Sequence, residues 1–109
     1  MPGTTIGRGN VLYDFLIGPT LTPVSVAANT TAAQSFTVPG LLPGDFVDVN
    51  LQNADQLAGI GIVNARVSAA DTLRIQFSNS TGGALVPTAG VYGINVTRPE
   101  NSPLPVNAA

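Results

Sequence analysis

Glycine and proline punctuate this chain every few residues, and they limit the secondary structure that it can form. The 109 residues include 12 Gly and 9 Pro. Proline breaks helices and glycine weakens them, so long helices have little room. The stretches between them are rich in Val, Ile, Leu, Phe and Thr, which favour β-strands. We therefore predict an all-β protein, with a length that fits a single domain.

Two segments show most clearly the alternation of a half-buried strand. In residues 72–78, Leu73, Ile75 and Phe77 fall on one face, whereas polar side chains fall on the other. Residues 91–98 repeat this pattern. The inward-facing side chains of this second segment are predicted to be Tyr92, Ile94 and Val96.

Four further strands are predicted from composition and spacing. They are residues 22–27, 35–38, 45–51 and 60–68. In the last of them the apolar positions change phase near Val63. Either a β-bulge at Val63 or a strand buried on both faces would explain the change.

Turn signals separate the predicted strands at intervals of about ten residues. Pro39-Gly40 and Pro43-Gly44 favour type II turns, in which Gly takes a positive φ. Residues 69–71 predict a tight hairpin between two strands. This spacing indicates an antiparallel β-sandwich or a small jelly-roll-like barrel, with extended N- and C-terminal arms.

The two ends differ from the body of the domain, which we place at residues 11–98. Residues 1–10 form a Gly- and Thr-rich N-terminal arm, and residues 99–109 form an extended, Pro-rich C-terminal arm. Residues 11–17 are apolar at nearly every position, so leaving them unfolded and exposed would be costly. We expect an ordered strand there. The tail is either frayed or lies across a neighbouring subunit.

The side chains that usually perform catalysis are scarce in this chain. It has no His, Cys, Lys or Trp, which removes the usual general bases and thiol nucleophiles. Asp45 and Asp48 are three residues apart on a predicted strand, so their carboxylates point to opposite faces. The group Asp48, Asn50, Asn53 and Asp55 does not have the spacing of a calcium loop. We therefore predict no catalytic residue, no cofactor and no metal site.

The charge of the chain is low and scattered. Charged residues make up 9% of the sequence, with a net charge of −2, against about 25% in an average domain. Four dispersed arginines are a poor footprint for nucleic acid, and no apolar run approaches the ~20 residues of a membrane helix. We expect no direct nucleic-acid partner and no membrane partner. A hydrophobic fraction of 44% with so little charge favours self-association.

A connected pattern of turn and core residues runs from Thr20 to Arg98. It consists of residues 22–31 (TPVSVAANTT), 36–41 (FTVPGL), 44–49 (GDFVDV), 59–67 (GIGIVNARV), 73–81 (LRIQFSNST) and 87–92 (PTAGVY). This pattern resembles small virion proteins that tailed phages and prophages encode near the capsid gene. Its motifs are structural, and they bring no catalytic residues with them.

The resemblance implies a non-enzymatic head decoration, or cement, protein of a bacteriophage. Such a protein would form a homotrimer on the outer surface of the capsid in the virion. It would bind the major capsid protein and stabilise contacts between capsomers. Similar β-domains in tail or fibre proteins give an alternative, which is host recognition.

Residues for subunit or capsid contacts are expected on the apolar strand, on the strand arginines and in the tail. The candidates are Val11, Tyr13, Phe15, Ile17, Arg66, Arg98, Pro103, Leu104, Pro105 and Val106. Arginine on a β-sandwich usually covers apolar surface and pairs with a nearby carboxylate. On sequence proximity, Glu100 is the expected partner of Arg98, and Asp71 that of Arg66.

Overall fold

A computed structural model describes residues 9–100 and 104–106 of the chain, and it shows two packed antiparallel β-sheets. The strands are β1 (Val11–Ile17), β2 (Thr20–Leu21), β3 (Thr30–Thr37), β4 (Phe46–Leu51), β5 (Ile60–Ala69), β6 (Thr72–Asn79) and β7 (Gly90–Pro99). The predicted all-β class and the antiparallel sandwich are confirmed. No helix in the described residues is long and apolar enough to span a membrane.

Each sheet is organised around one central strand. In the four-stranded sheet β1 and β2 follow one another along one edge of β7, and β4 pairs with its other edge. In the three-stranded sheet β6 lies between β3 and β5. Among the described residues, the central strands β6 and β7 contribute six of the thirteen buried hydrophobic side chains, whereas β1, β2, β3, β4 and β5 form the edges.

The core lies between the sheets, and the two clearest sequence patterns are confirmed there. Leu73, Ile75 and Phe77 on β6 are fully buried. Their counterparts across the sandwich are Tyr92, Ile94 and Val96 on β7, also buried. Full burial of one such apolar side chain stabilises a fold by roughly 1.5–3 kcal/mol.

The change of phase in β5 comes from a bulge at Val63. Ile62 pairs with Phe77 and Asn64 with Gln76, so Val63 has no partner on β6. The extra residue turns the apolar face of the strand back toward the core, because Ile60 and Val67 are both buried while Val63 is exposed. The bulge is confirmed, and the alternative of a strand buried on both faces is wrong.

The predicted strand at residues 22–27 is wrong, because this segment makes almost no ladder. Its one bridge joins Val26 to Leu85. At Val24 the side-chain amide of Gln34 replaces a neighbouring strand: its Oε1 accepts from the backbone N–H (2.8 Å) and its Nε2 donates to the carbonyl (2.7 Å). Proline 23 lacks an N–H, which also weakens any ladder at this point.

The loop between β3 and β4 is built from the two predicted Pro-Gly turns. Gly40 and Gly44 both have φ of 96°, a conformation that favours glycine, as expected for type II turns. The β5–β6 hairpin holds the loop in place, because the Gly40 N–H donates to Oδ1 of Asp71 at 2.8 Å. This loop delivers Asp45 to the end of the sandwich.

Candidate interaction surfaces

Strand β1 is ordered as predicted, and it exposes much of its apolar surface. Val11, Leu12 and Tyr13 are all more than half exposed, and Leu16 is 79% exposed. Among the described strands β1 pairs only with β7, so its second edge is open. An open edge with apolar side chains can take up a strand from another molecule.

The two faces of β1 have different surroundings. Phe15 and Ile17 lie opposite Val96 and Ile94, and they pack against the buried core. Asp14 and Leu16 point the other way, toward the outer face of the sheet. Of the candidate contact residues, Phe15 and Ile17 therefore serve mainly the fold, while Val11 and Tyr13 leave surface for a partner.

Arg98 lies at the end of β7 and forms an ion pair inside the protein. Its Nε donates to Oδ1 of Asp45 at 2.8 Å and its Nη2 donates to Oδ2 at 2.7 Å. Nη2 also donates to the Gly40 carbonyl at 2.9 Å. The expectation that Glu100 would be its partner is wrong, because the Pro-Gly turns place Asp45 directly opposite the guanidinium.

The same guanidinium stabilises the position of β1. Its central carbon lies 6.0 Å from the ring centre of Tyr13 and 5.8 Å from that of Phe15, within cation–π range. The Asp45 side chain is only 2% exposed and that of Arg98 19%. Arg98 therefore joins β1, β7 and the β3–β4 loop, which makes it a structural residue more than a contact residue.

The electrostatics of Asp45 follow from this pairing. The hydrogen bond from Arg98 lowers the pKa of the Asp45 carboxyl below its ordinary value, and burial opposes the shift. The backbone N–H of Leu42, which donates to Oδ2 at 3.0 Å, lowers the pKa further. The carboxylate is thus ionised and fully committed to structure at neutral pH.

Arg66 lies on the outer face of the three-stranded sheet and is exposed. The prediction that it pairs with Asp71 is wrong, because the Asp71 carboxylate accepts from the β3–β4 loop instead. Arg66 stands directly opposite Arg74 on β6. Within the described residues neither arginine forms an ion pair, so both remain available to a partner.

The C-terminal tail is described only in part, since Pro103 lies outside the described residues. Leu104 lines a shallow hollow together with Phe46, Val47 and Arg66, beside the ends of β4 and β5. Val106 is 89% exposed. In the described part of the tail, Leu104 therefore borders this hollow while Val106 is exposed.

Polar side chains gather along an open cleft between β4 and β5. The cleft measures about 520 Å³, and Asp48, Asn50, Asp55, Gln56 and Asn64 lie along it. In the ranges 9–100 and 104–106 no three acidic, His or Cys side chains gather in a way that could hold a metal ion. Asp45 and Asp48 lie on opposite faces, as predicted, with Asp45 buried and Asp48 exposed.

Three polar side chains, of which Asn79 is buried and Gln34 and Gln56 are partly exposed, were not predicted to matter, and each holds a loop. Asn79 is 1% exposed; its Nδ2 donates to the carbonyls of Val26 and Gly83, and its Oδ1 accepts from Thr81. Gln56 donates to the Tyr92 hydroxyl, which itself donates to the Thr88 carbonyl. Burial raises the pKa of Tyr92, and the Gln56 bond opposes the shift. The third is Gln34, which supports Val24.

The alternation of inward and outward positions along the strands could have revealed two of these residues. Asn79 has the same parity as Phe77 on β6, and Gln34 has the same parity as Phe36 on β3, so both point toward the core. An amide at an inward position must find hydrogen-bonding partners. Nothing comparable marks Gln56, which lies in a loop.

Comparison with known proteins finds no relative of this chain. No protein-family model matches it, no curated protein matches it, and no solved structure matches it.

Proposed function

We propose that this protein is a non-enzymatic structural protein of a bacteriophage virion, a head decoration or cement protein. It binds the outer surface of the capsid as a homotrimer, contacts the major capsid protein and stabilises the junctions between capsomers. The pattern of residues 20–98 supports the virion class by resemblance. The surface of β1 supports the docking role.

The observation that carries the proposal is the exposed apolar strand β1 with its open edge. Val11, Leu12 and Tyr13 present apolar surface that a stable free monomer would be expected to cover. Strand addition at this edge supplies main-chain hydrogen bonds, and the alternating side chains fill pockets on the partner. Repetition over many capsid sites adds avidity without high affinity at each site.

The alternative, a tail or fibre domain that recognises a host glycan, has less support. A glycan site of that kind would stack a sugar on an exposed tyrosine, and Tyr92 is fully buried. Tyr13 is the exposed tyrosine, and its ring lies against Arg98. Glycan-array binding that is lost in Tyr13→Ala would favour this alternative over capsid decoration.

The proposal is tested with phage heads that lack the protein. Purified wild-type protein is added, bound protein is measured by sedimentation with the heads, and electron microscopy locates the added density. Leu12→Asp places a charge on the β1 surface and should reduce binding by about tenfold or more. Val24→Asp is the matched control, because Val24 is similarly exposed at 65% but lies outside the strands.

Binding by wild type and the Val24 variant, with loss in the Leu12 variant, supports the proposed role. Wild-type protein that stays in the supernatant at all concentrations would contradict it. Equal binding by all three proteins would remove β1 from the docking surface.

A further inference from the structure

The outer face of the three-stranded sheet carries positive charge without any compensating acid. Arg66 on β5 and Arg74 on β6 are directly opposite one another, and Ser35 on β3 completes the row. Opposed residues on adjacent antiparallel strands have Cβ atoms about 4.5–5.5 Å apart. Strands β3, β5 and β6 contain no Asp or Glu.

This arrangement is unfavourable in an isolated molecule. Like charges directly opposite one another on a sheet destabilise it, and most β-sheets avoid them. The neighbours of the pair on this face are small or uncharged polar residues, including Gln76 and Asn64 in the next row. A partner that brings carboxylates to this face would relieve the repulsion.

The outer face of the four-stranded sheet has the opposite character. One row across β1, β7 and β4 consists of Asp14, Thr97 and Phe46. The next row consists of Leu16, Asn95 and Asp48. The two carboxylates thus occupy one diagonal, and two exposed apolar side chains occupy the other.

The apolar pair is among the most exposed in the protein. Leu16 is 79% exposed and Phe46 66%. The one cation on these strands, Arg98, points inward and is neutralised by Asp45. This outer face therefore presents two negative charges beside an exposed aromatic ring.

The two faces complement each other in charge and in chemistry. Among the described residues, one carries two arginines and no acid, and the other carries two aspartates and no free cation. A guanidinium binds a carboxylate through a planar fork and stacks on an aromatic face, so Asp48 and Phe46 together suit one arginine. Each face of the chain is therefore complementary in charge to the other.

We propose that the Arg66–Arg74 face of one copy docks on the Asp14–Phe46–Leu16–Asp48 face of the next copy. The contact uses two different patches, one on the outer face of each sheet, so each copy has two neighbours and the array stays open unless its rotations close it. The inference deepens the proposed function and rests on it in one respect: on a capsid surface, the contact would link neighbouring copies laterally. The contact itself is independent of the capsid.

The test uses two charge-reversed variants and their mixture. The first variant is Arg66→Glu with Arg74→Glu, and the second is Asp14→Arg with Asp48→Arg. In each variant alone, both faces have the same sign, and the association constant should fall by about tenfold or more. In the equimolar mixture, every contact again joins opposite charges, and association should return.

The measurement is sedimentation velocity over a range of concentrations, from roughly 50 mM to 500 mM salt, over which electrostatic screening becomes strong. Wild-type association that weakens with salt, two variants that fail alone and a mixture that associates support the proposal. Wild-type protein that stays monomeric at low salt overturns it. Variants that associate like wild type overturn it, and so does a mixture that fails while both variants remain folded by circular dichroism.

The stacking part of the contact has its own matched pair. Phe46→Ala should weaken association by about threefold to tenfold, the range expected for loss of a cation–π contact. Leu57→Ala removes an exposed apolar side chain in a loop and should leave association unchanged. Equal effects of the two substitutions would remove Phe46 from the interface.

Failure of this inference is distinguishable from failure of the proposed function. Charge-dependent self-association without binding to phage heads would contradict the capsid role and leave the face-to-face contact standing. Binding to phage heads together with self-association that does not depend on charge would contradict the face-to-face contact and leave the capsid role standing.

Discussion

Strands β1 and β6 show how poorly the apolar content of a segment reports its burial. In β1 six of the seven residues are apolar, and four of these are more than half exposed. In β6 three of the eight residues are apolar, and all three are fully buried. Alternation encodes the buried face of β6, whereas the additional apolar residues of the edge strand β1 stay exposed.

The largest effect is expected in β6. Phe77→Ala should lower the free energy of unfolding by about 3–5 kcal/mol, because it leaves a cavity in the centre of the sandwich. Urea denaturation followed by far-ultraviolet circular dichroism measures the loss. Phe77→Leu is the control and should cost much less. A loss below about 1 kcal/mol for the alanine variant would show that the deeper burial of β6 does not make it contribute more to stability than β1.

The next effect concerns the contact that joins β1 to the body. Asp45→Asn removes the partner of Arg98 and should cost about 2–3 kcal/mol at neutral pH. Hydrogen exchange should rise in β1 more than in β6, because Tyr13 and Phe15 pack around the same guanidinium. The exposed Asp48→Asn serves as control and should change stability by less than about 0.5 kcal/mol.

The same pair predicts a pH dependence. The pKa of Asp45 is lowered in the folded protein. The stabilisation that its ionised carboxylate provides is therefore fully present above the ordinary Asp pKa of about 3.9, and it is lost as pH falls through the folded pKa. The stability difference between wild type and Asp45→Asn should therefore shrink in acid. Denaturation curves collected from neutral pH down to about pH 2 test this. A difference that stays constant over this range would contradict an ionised Asp45.

A smaller loss is expected on the inner face of β1. Phe15→Ala should cost about 1–2 kcal/mol, since the side chain is only partly buried against the core. Chemical denaturation measures this loss in the free energy of unfolding, and comparison with Phe77→Ala shows how much less the β1 side chain contributes than the β6 side chain. A loss as large as that of Phe77 would mean that β1 belongs fully to the core.

The smallest effect is expected on the outer face of β1. Leu16→Ser should change the stability of the dilute protein by less than about 0.5 kcal/mol, as is usual for an exposed position. The measurement is again chemical denaturation, at low protein concentration. A loss above about 1 kcal/mol would show that something already covers this face.

The sequence predicts this fold well where side chains alternate strictly. Strands β6 and β7 and both Pro-Gly turns follow from local patterns, because each depends on neighbouring residues alone. The pattern near Val63 left two explanations, and the strand register selects the bulge. Prediction from the sequence fails where a side chain distant in the sequence makes the contact that a neighbouring residue was expected to make. The amide of Gln34 replaces a strand at Val24, and Asp45 replaces Glu100 as the partner of Arg98. Such contacts depend on how the sheets pack, which no local pattern contains.

The interaction surfaces were predicted less completely than the fold. Composition and strand pattern predict residues 11–17 and Arg66 as candidate contact residues, but the pairing of Arg66 with Arg74 depends on strand register. Phe46 appeared as an ordinary strand residue, and only the register places it between two carboxylates on an outer face. Which charged side chains share one face of a sheet is known only once the register of the strands is known.

The contrast between the two tyrosines gives this protein a pair of built-in optical reporters. The chain has no Trp, so its near-ultraviolet signal comes from Tyr13 and Tyr92 apart from weak phenylalanine bands. Tyr92 is buried and hydrogen-bonded, and its phenolate absorbance should emerge only at a pH above the ordinary value. Tyr13 lies half exposed on β1. Docking at β1 should therefore alter one tyrosine and unfolding both, which allows binding and unfolding to be followed separately in the unlabelled protein.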